Sequence, residues 1–399
     1  MRIGLYTPNY PGLTGEGGIG SYTRSIAHGL SELGHEVHVL TPGDRPTADD
    51  GEVRVHFTRT DHLRGFDRLV PGMGPCWRVG RAMRRLVREY RLEVVEFPNW
   101  EGYGLLYQRI AKIPVVVRLS TSSAEAQHID GGLPTRRQRW EVSRERWQSQ
   151  AADALVTHSD AHRQLMAEEN RVPAERIGVQ PLGVEVFPDW VRPPRTPGPP
   201  TVLYLGRLEY RKGTVELLQA IPEVLRVVPD ARFVFIGADR PHCPGGRTHA
   251  QYLEQDFPPE VRRQVTLAGR LPQPEVDHHL QTADLFVAPS RYESFGLIFL
   301  EAMRWGTPVV GTTAGGIPEI VEDGKSGVLV RPQAPDELAA ALSGLLLAPA
   351  RRATLGTEGR RRVEQEFSVR RMAERVAGLY EELVVARRRG TPLRVANAG

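Results

Sequence analysis

The run that divides this chain is Pro188-Asp-Trp-Val-Arg-Pro-Pro-Arg-Thr-Pro-Gly-Pro-Pro200. Proline at this density is typical of a stiff linker, because each proline fixes its own φ angle and has no N–H to donate to a helix or sheet. On both sides of the run, short apolar segments alternate with segments of helical periodicity. The chain also has 399 residues, more than one ordinary hydrophobic core contains. The run therefore predicts a junction between two domains.

The apolar segments predict the kind of sheet in each domain. They span 3–6, 37–40, 53–57, 94–97, 115–119 and 154–158 before the linker, and 202–205, 233–236, 265–268, 285–288 and 308–311 after it. Continuous Val, Ile and Leu runs separated by helical patterns are expected of parallel strands buried on both faces. We therefore expect two doubly wound, Rossmann-like α/β domains, with ligands beyond the carboxyl ends of the strands and in the cleft between the domains.

The boundaries follow from the same pattern. We place the first domain at 1–190 and the second at 191–368. A helix at 369–386 is expected to pack back on the body, and 387–399 has too little apolar content to be more than a frayed tail.

Composition limits the class of protein. Apolar residues make up 40% and charged residues 25%, as in an ordinary cytoplasmic globular protein, and no apolar run is long enough to span a membrane. The first residues read as a strand rather than a signal peptide. Cys76 and Cys243 make no disulfide framework, and the histidines near Cys243 supply no second pair of ligands, so no metal site is predicted.

The net charge of +4 comes almost entirely from arginine. This bias is typical of genome composition, and the basic residues lack interleaved aromatic residues, so nucleic-acid binding is not indicated. Lysine occurs only at Lys112, Lys212 and Lys325. Lys212 lies in a glycine-flanked loop. Its presence in an arginine-rich chain indicates a position where a compact ammonium charge is preferred to a guanidinium.

One motif points to a different enzyme class. Gly15-Glu-Gly17-Gly18-Ile-Gly20 has the G-x-G-x-x-G spacing of a dinucleotide-binding oxidoreductase. However, eight residues separate it from the first strand, and the second strand ends in Thr-Pro rather than in an acid that could hold a ribose. We therefore interpret it as a glycine-rich loop that opens a helix near Ser21 and lets backbone amides approach an anion.

The chemistry is concentrated in Ser290-Arg-Tyr-Glu-Ser-Phe-Gly-Leu-Ile-Phe-Leu-Glu-Ala-Met303. Glu293 lies in a strand-to-helix loop at the ligand edge of the sheet. Phe295, Gly296 and Leu297 form the helix start, where free N–H groups favour a phosphate. Glu301 lies inside the helix near its start. Two carboxylates on either side of a diphosphate can accept hydroxyl groups from the two ends of a nucleotide sugar.

A second loop supplies cations at the same edge. In Leu205-Gly-Arg207-Leu-Glu-Tyr-Arg-Lys212-Gly, Arg207 and Lys212 follow the first strand of the second domain. Two fixed cations can neutralise a diphosphate leaving group, and losing one such group costs about 3 kcal/mol or more.

These residues resemble family 4 glycosyltransferases of the GT-B fold. The resemblance rests on Gly17-Gly-Ile-Gly-Ser-Tyr, Gly206-Arg-Leu with Lys212-Gly, Pro289-Ser-Arg-Tyr-Glu-Ser-Phe-Gly-Leu with Glu301-Ala, Thr307-Pro-Val-Val, and Gly315-Gly-Ile-Pro-Glu-Ile-Val-Glu-Asp-Gly-Lys-Ser-Gly327. It covers most of the chain and is densest in the second domain. It implies transfer of a sugar from a nucleotide-diphosphate sugar with retention at the anomeric carbon, without a bound metal or other cofactor. It also implies that the C-terminal helix crosses back onto the first domain.

The resemblance also implies a role for each matching residue. Arg207 and Lys212 would hold the diphosphate, Glu293 the donor sugar hydroxyls and Glu301 the ribose. The amides of Phe295, Gly296 and Leu297 would meet the phosphate or sugar, and Gly17 and Gly18 would close on the diphosphate. Gly269, Arg270 and Leu271 lie where the family contacts the base.

One position departs from the family. Many relatives carry a histidine just after the strand at 115–119, and Ser120 stands at that position. Serine cannot supply a cation or a proton near neutral pH. Because the leaving diphosphate is thought to deprotonate the acceptor in this family, activity is still expected. His128 could replace the histidine by folding back, although an ordinary surface position is favoured.

The acceptor is expected to bind the first domain. Asn99, Trp100 and Glu101 follow a strand and offer an aromatic platform beside polar groups, with Ser120 nearby, although Trp100 could equally be core. Glu101 or Asp160 is a weaker candidate for contact with an acceptor amine. The helix at 77–91 has an arginine face, so contact with the inner face of a membrane is an alternative to simple packing on the core.

The favoured function is thus a retaining glycosyltransferase with a small-molecule, lipid or saccharide acceptor. Two alternatives stay open within the same fold, a sugar-nucleotide epimerase and a phosphorylase. A third comes from another class: a catalytically silent subunit that activates a partner, supported only by Ser120. The base, the sugar, the acceptor and the oligomeric state are not specified by the sequence.

Overall fold

The structure is a computed structural model that describes residues 1–61, 67, 70–125, 135–195 and 197–391. The described chain packs as two units. Unit 1 contains Met1–Gly183 together with the last helix, which begins at Val369, and unit 2 is Val184–Ser368.

Unit 1 is built on an eight-stranded sheet in the order β3-β4-β2-β1-β5-β6-β7-β8. Its strands are β1 (Arg2–Tyr6), β2 (Glu36–Pro42), β3 (Ala48–Asp50), β4 (Val53–Thr58), β5 (Val94–Pro98), β6 (Val115–Arg118), β7 (Ala154–Thr157) and β8 (Ile177–Val179). All neighbouring strands are parallel except β3 and β4. The strand order reverses between β1 and β5, which is the point where doubly wound sheets bind ligands.

The helices of unit 1 cover both faces of this sheet. They are α1 (Gly18–Glu32), α2 (Met73–Glu89), α3 (Leu105–Gln108), α4 (Arg136–Ala151), α5 (Asp160–Asn170) and the C-terminal helix Val369–Arg389. The C-terminal helix belongs to the core, because Met372, Val376, Tyr380 and Leu383 are all buried there. Burial of such side chains contributes about 1.5–3 kcal/mol each.

Unit 2 is built on a six-stranded, all-parallel sheet in the order β11-β10-β9-β12-β13-β14. The strands are β9 (Thr201–Leu205), β10 (Arg232–Ile236), β11 (Val265–Gly269), β12 (Leu285–Val287), β13 (Val309–Thr312) and β14 (Val328–Val330). The helices are α6 (Thr214–Val227), α7 (His249–Asp256), α8 (Pro259–Arg262), α9 (Gln273–Thr282), α10 (Leu297–Met303), α11 (Ile317–Ile320), α12 (Pro335–Leu346) and α13 (Pro349–Glu366). The strand order reverses between β9 and β12.

The predicted fold class is confirmed, since both sheets are parallel-rich and doubly wound. Every predicted apolar segment contains a strand. The short strands β3, β8 and β14 were not predicted, because three-residue strands carry too little periodicity to be read. Helix α1 begins at Gly18, three positions before the predicted Ser21.

The junction differs in detail from the prediction at 190. Residues from Val184 onward pack with unit 2, and Val184 N donates to Phe367 O at 2.8 Å. Phe187 and Trp190 both pack against the Trp305 ring, with centroids 4.9 Å away in each case. Aromatic packing, which the proline spacing does not encode, places this segment in unit 2.

The prediction of a frayed tail at 387–399 is wrong for its first residues. The C-terminal helix continues to Arg389, and Arg387 and Arg388 form ion pairs with Asp153 and Glu93, both at 2.6 Å. Residues 392–399 lie outside the described ranges. Among the described helices, none has both the length and the apolar character needed to cross a bilayer.

Candidate active site

The candidate donor residues of unit 2 follow its two central strands. Arg207 and Lys212 lie in the loop after β9, and Glu293 lies in the loop after β12. These strands pair directly, with Leu285 opposite Val202, at the reversal of strand order. The carboxyl ends of parallel strands share one edge, so the topology brings the two predicted segments together.

The backbone of the loop after β9 is fixed near both of its ends. The buried Tyr204 donates its hydroxyl to the carbonyl of Arg207 at 2.9 Å. At the other end of the loop, Gly213 has a φ of +66°, and a Cβ there would lie 1.9 Å from the carbonyl oxygen of Pro289. Only glycine permits both this conformation and this approach, which seats the β9 loop against the β12 loop.

The two loops meet in a salt bridge. Lys212 Nζ lies 2.5 Å from Glu293 Oε1, and Ser290 Oγ donates to the same oxygen at 2.8 Å. Arg211 Nη1 is 3.6 Å from Glu293 Oε2 and also donates to the carbonyl of Tyr292 at 3.3 Å. Glu293 is buried, whereas Arg211 and Lys212 keep part of their side chains in contact with solvent.

Arg207 joins this network through Glu209. The Glu209 carboxylate is buried and lies 3.4 Å from Arg207 Nη2 and 3.2 Å from Arg211 Nη2. The Arg207 side chain is 54% exposed, so its guanidinium is available to a ligand. We call Arg207, Glu209, Arg211, Lys212 and Glu293 the donor charge network. It combines three cations with two carboxylates, which leaves one positive charge in excess.

Glu293 is ionised despite its burial. Burial raises the pKa of this carboxyl, but the charges of Lys212 and Arg211 and the hydrogen bonds from Lys212 and Ser290 more than offset it, so the net shift is downward. A buried carboxylate with a lowered pKa accepts hydrogen bonds throughout the neutral pH range.

The backbone around Glu293 is fixed by the loop after β13. Gly316 N donates to the Glu293 carbonyl at 2.9 Å, and Thr312 Oγ1 donates to the Ser290 carbonyl at 2.6 Å. Gly315 has a φ of +58°, and a Cβ there would lie 2.1 Å from the Glu293 carbonyl oxygen. The first glycine of the Gly-Gly pair, Gly315, is therefore required for close backbone packing.

Helix α10 begins at Leu297, immediately after Gly296, whose φ is +102°. The Phe295 side chain is buried and packs edge-on against Phe367. Glu301 lies in the second turn, half-buried, and burial raises the pKa of its carboxyl. Residues 285–303 thus form a strand, a loop and a helix, as predicted.

The loop that is predicted to contact the base follows β11, the edge strand of the same sheet. β11 ends at Gly269, whose carbonyl accepts from Gly237 N at 2.7 Å. Arg270 is exposed and Leu271 is half-buried. The order β11-β10-β9 places this loop two strands from the donor charge network.

In unit 1, the glycine loop connects β1 to α1. Gly17 precedes the helix and Gly18 is its first residue. The loop wraps around Asn9, because a Cβ on Gly17 would lie 2.7 Å from Asn9 Nδ2 and one on Gly20 only 2.2 Å from Asn9 Oδ1. This packing explains the glycines of the motif without a dinucleotide.

The predicted acceptor residues follow β5 and β6, which are neighbours in the sheet. Asn99 is buried, and its Oδ1 accepts from both the backbone N and the Oγ of Ser120 at 3.0 Å. Asn99 Nδ2 in turn donates to the Ser120 carbonyl at 3.3 Å. Asn99 therefore holds Ser120 in place, and the Ser120 hydroxyl keeps its lone pairs for a hydrogen bond from a ligand.

Trp100 and Glu101 are both half-buried, so neither lies wholly in the core. Glu101 has a φ of +55°, an uncommon conformation for a non-glycine residue that costs on the order of 1 kcal/mol or more. Its carboxylate accepts from the Tyr103 hydroxyl at 2.9 Å. Asp160, the other candidate for an acceptor amine, is exposed and pairs with Arg163 at 2.6 Å.

Two sequence interpretations need comment. His128 lies outside the described residues. In α2 the apolar side chains Val79, Met83 and Leu86 are buried in the core of unit 1, which removes the apolar face that a membrane-surface helix would insert. The packing interpretation therefore accounts for this helix.

Sequence reasoning passed over two members of the donor charge network, Glu209 and Arg211. Both lie between Arg207 and Lys212 in the loop that was singled out. The mixture of charges in Glu-Tyr-Arg-Lys could have indicated them. An acidic residue among basic residues in one ordered loop is expected to form salt bridges with them.

Comparisons with known proteins agree with this geometry. Residues 16–186 match the model of the family described as Glycosyltransferase Family 4, and residues 189–362 match that of Glycosyl transferases group 1. The two halves of the chain thus match two glycosyltransferase family models, and the predicted resemblance to family 4 is confirmed. The chain is a transferase of the hexosyltransferase type, and the predicted GT-B fold is confirmed.

The chain is 29% identical, over 95% of its length and 94% of the relative's, to glycogen synthase from Mycobacterium tuberculosis. Its fold is similar to that of sucrose-phosphate synthase from Thermosynechococcus elongatus, with a TM-score of 0.72, 21% identity and coverage of 96% and 99% of the two chains. It is also similar to Anabaena HepE, solved in complex with UDP and glucose, with a TM-score of 0.68, 19% identity and coverage of 96% and 99%.

Proposed function

We propose that this glycosyltransferase moves a sugar from a nucleotide-diphosphate sugar to an acceptor hydroxyl with retention at the anomeric carbon. The donor charge network carries this proposal, because its excess positive charge is held on two fixed loops at the ligand edge of unit 2. A diphosphate is the ligand whose charge and two-centre shape fit such a site. The complex of HepE with UDP and glucose supports a donor of this class.

Arg207 and Lys212 are assigned to the diphosphate. Without a donor, Lys212 is paired with Glu293. When a diphosphate binds, the Lys212 ammonium shifts to its oxygens and frees one oxygen of Glu293 for a sugar hydroxyl. Glu293 remains paired with Arg211, so it is not left as an isolated buried charge.

The remaining donor contacts follow from the order of groups along a nucleotide sugar. Glu301 is assigned to the ribose hydroxyls and the loop Gly269–Leu271 to the base. The amides of Phe295, Gly296 and Leu297 are assigned to the phosphate or sugar, and Gly17 and Gly18 to the diphosphate. Because backbone groups dominate around the base, these residues leave the choice of base open.

In the reaction, the bond between the anomeric carbon and the diphosphate oxygen breaks, and a bond to the acceptor oxygen forms on the same face. The acceptor proton passes to the departing diphosphate oxygen. Negative charge grows on the diphosphate as its bond breaks, and Arg207 and Lys212 stabilise that charge, with about 3 kcal/mol or more at stake for each cation. No charged group is required at Ser120 for this proton transfer.

The acceptor is assigned to unit 1. Ser120, oriented by Asn99, accepts a hydrogen bond from a sugar or acceptor hydroxyl, and the half-buried Trp100 provides a flat apolar face. Glu101 adds a carboxylate that suits a polyol or an amine. Neutral hydrogen-bonding groups and an aromatic face are typical of sites for saccharides and cyclitols.

Calorimetric titration with UDP, GDP, ADP and dTDP tests the donor site. We expect one nucleotide to bind clearly, and Lys212→Ala to weaken it by roughly tenfold or more and to lower sugar transfer by roughly a hundredfold. Lys325→Ala is the control, because Lys325 is a surface lysine of the same unit paired with Glu322. If none of the four nucleotides binds, the proposal fails. If one binds but no sugar is transferred until another protein is added, the chain is an activating subunit instead.

A further inference from the structure

Helix α4 packs on unit 1 through polar side chains. Arg144, Glu145, Gln148 and Ser149 are the buried residues of this helix. A helix of a globular protein normally buries an apolar stripe, so a buried polar face must be satisfied by specific partners. Because hydrogen bonds are directional, such a face constrains the backbone position of the segments that it contacts more tightly than apolar packing does.

The partners of this face are the two loops that carry the acceptor candidates. Glu145 Oε1 accepts from the backbone N of Glu101 at 2.8 Å and from Ser123 Oγ at 2.5 Å. Glu145 Oε2 accepts from the backbone N of Ser123 at 3.0 Å. One carboxylate thus joins the loop after β5 to the loop after β6.

Neighbouring side chains of α4 hold the ends of the first loop. Gln148 Oε1 accepts from Gly104 N at 2.7 Å, and Gln148 Nε2 donates to the Pro98 carbonyl at 2.8 Å. Gly102 has a φ of +65°, and a Cβ there would lie 3.0 Å from atoms of Arg144. The loop is therefore pressed against α4 along its length, with Glu101 at its centre.

Glu101 is the residue for which this support matters most. Its left-handed backbone is unfavourable by itself, and the hydrogen bond from its N–H to Glu145 offsets that cost. Strained backbone that is held by a buried charge is more common at functional sites than elsewhere.

We propose that Glu145 is a positioning residue for the acceptor, which fixes Glu101 and the segment from Ser120 to Ser123 in the geometry that sugar transfer requires. This inference rests on the proposed function. Glu145 is not assigned a contact with the substrate, because its two oxygens are engaged by the loops.

The role depends on the ionised carboxylate, since a protonated oxygen cannot accept a hydrogen bond from an N–H along its own O–H direction. Burial raises the pKa of Glu145 to about 7, although the Ser123 hydroxyl, the amides of Ser123 and Glu101, and the Arg144 charge all act to lower it. Among the described residues, the charge that acts on it is that of Arg144 on its own helix, and the opposite loops contribute the neutral donors of Ser123 and Glu101. Because the pKa is raised in the folded state, protonation does not destabilise these loops. Below about pH 7 it does turn one of the acceptor oxygens into a donor, and so it changes the geometry that Glu145 imposes on the loops.

Glu145→Gln tests the proposal in the full-length protein. Glutamine keeps the size but places an NH₂ group opposite the N–H of Ser123. With the nucleotide glucose selected by calorimetry and a panel of glycogen, maltose and myo-inositol, we expect kcat/KM for the acceptor to fall by roughly ten- to a hundredfold, as for misplaced substrates generally. Nucleotide affinity should stay within about twofold, because the contacts of Glu145 are with Glu101 and Ser123 rather than with residues assigned to the donor.

The pH profile separates positioning from a merely structural role. Wild-type transfer should lose activity as the pH falls through about 7, and Glu145→Gln should lack this limb. Glu141→Gln is the matched control, because Glu141 is on the same helix and pairs with Arg137. An unchanged acceptor kcat/KM in Glu145→Gln, or an acid limb that persists in it, would overturn the proposal.

Hydrogen exchange provides a readout that needs no acceptor. Protection of the Glu101 and Ser123 amides above pH 7 should be lower in Glu145→Gln than in the wild type, and should be unchanged in Glu141→Gln. If Glu145→Gln does not fold, Ser123→Ala replaces it, and the limb should move to higher pH because the hydroxyl that lowers the Glu145 pKa is gone. Equal protection of these amides in Glu145→Gln and in the wild type contradicts the inference even if donor binding is normal.

Discussion

Beyond the carboxyl ends of its central strands, unit 2 presents a network of paired charges, whereas unit 1 presents mainly neutral side chains beside the carboxylate of Glu101. In unit 2, Arg207, Arg211 and Lys212 are arranged around Glu209 and Glu293. In unit 1, Asn99 and Ser120 hold each other through neutral hydrogen bonds. The same topology therefore supports two different kinds of site.

The difference reflects the ligands proposed for each unit. A diphosphate has a fixed charge and shape, so a network of paired cations is suited to it whatever the sugar. Acceptors differ between enzymes of one family, and neutral loops on a rigid base can be altered without disturbing a charge balance. Within the sheet of unit 1, Glu96 and Arg118 form a buried ion pair at 2.9 Å.

The largest expected effect breaks this buried pair. Glu96 accepts from Arg118, from Tyr22 at 3.1 Å and from Tyr380 at 2.8 Å, so it links β6, α1 and the C-terminal helix. Glu96→Ala would leave Arg118 buried without a countercharge, at a cost of roughly 3–5 kcal/mol. Urea unfolding followed by hydrogen exchange should show unit 1 opening first while unit 2 stays protected.

Tyr380→Phe is a milder substitution in the same hydrogen-bond network. It removes one hydrogen bond and keeps the ion pair, so its cost should be about 1 kcal/mol. If Glu96→Ala costs no more than Tyr380→Phe, the charge of Glu96 does not stabilise unit 1, and the contrast between the units is smaller than we infer.

A smaller effect is expected from Arg211→Met in unit 2. The side chain keeps its bulk but loses its contacts with Glu209, Glu293 and the Tyr292 carbonyl. Hydrogen bonds to charged groups contribute about 1.5–3 kcal/mol, so nucleotide affinity should fall by roughly tenfold or more. Arg361→Met, which removes an exposed pair with Glu358, serves as the control in calorimetry. Equal affinities in the two variants would mean that Arg211 does not belong to the donor charge network.

A further prediction concerns acid stability. His38 and His56 are buried in unit 1 and share a hydrogen bond of 2.9 Å, and burial lowers the pKa of both, that of His56 to about 4. Because the unfolded chain then binds more protons, the stabilisation is complete above about pH 6.5 and is lost as the pH falls toward 4.

Comparison of His56→Gln with the wild type isolates this contribution. Between pH 6.5 and 5 the wild type should lose on the order of 2 kcal/mol more in free energy of unfolding than the variant. Glu145, whose raised pKa acts in the opposite direction, is present in both proteins and cancels in the difference. Parallel stability curves for the two proteins would show that His56 is not kept neutral by the fold.

Much of the fold could be predicted because the signals are local. Continuous apolar runs predicted β1, β5, β9 and β12, and the segments after them contained the residues that now form the candidate site. The β3 strand was missed because three residues do not show a period. The junction was placed too late because it depends on aromatic packing around Trp305, which joins distant parts of the chain.

The sequence by itself determined the α/β architecture and the segments that carry the chemistry, since hydrophobic periodicity, glycine spacing and charge are properties of neighbouring residues. Only the tertiary structure decided the partners. Lys212 and Glu293 are 81 positions apart, Asn99 and Ser120 are 21 apart, and Glu145 joins two loops from a third element. Such pairs form because strand order brings loops to one edge and burial then requires each polar group to find a partner.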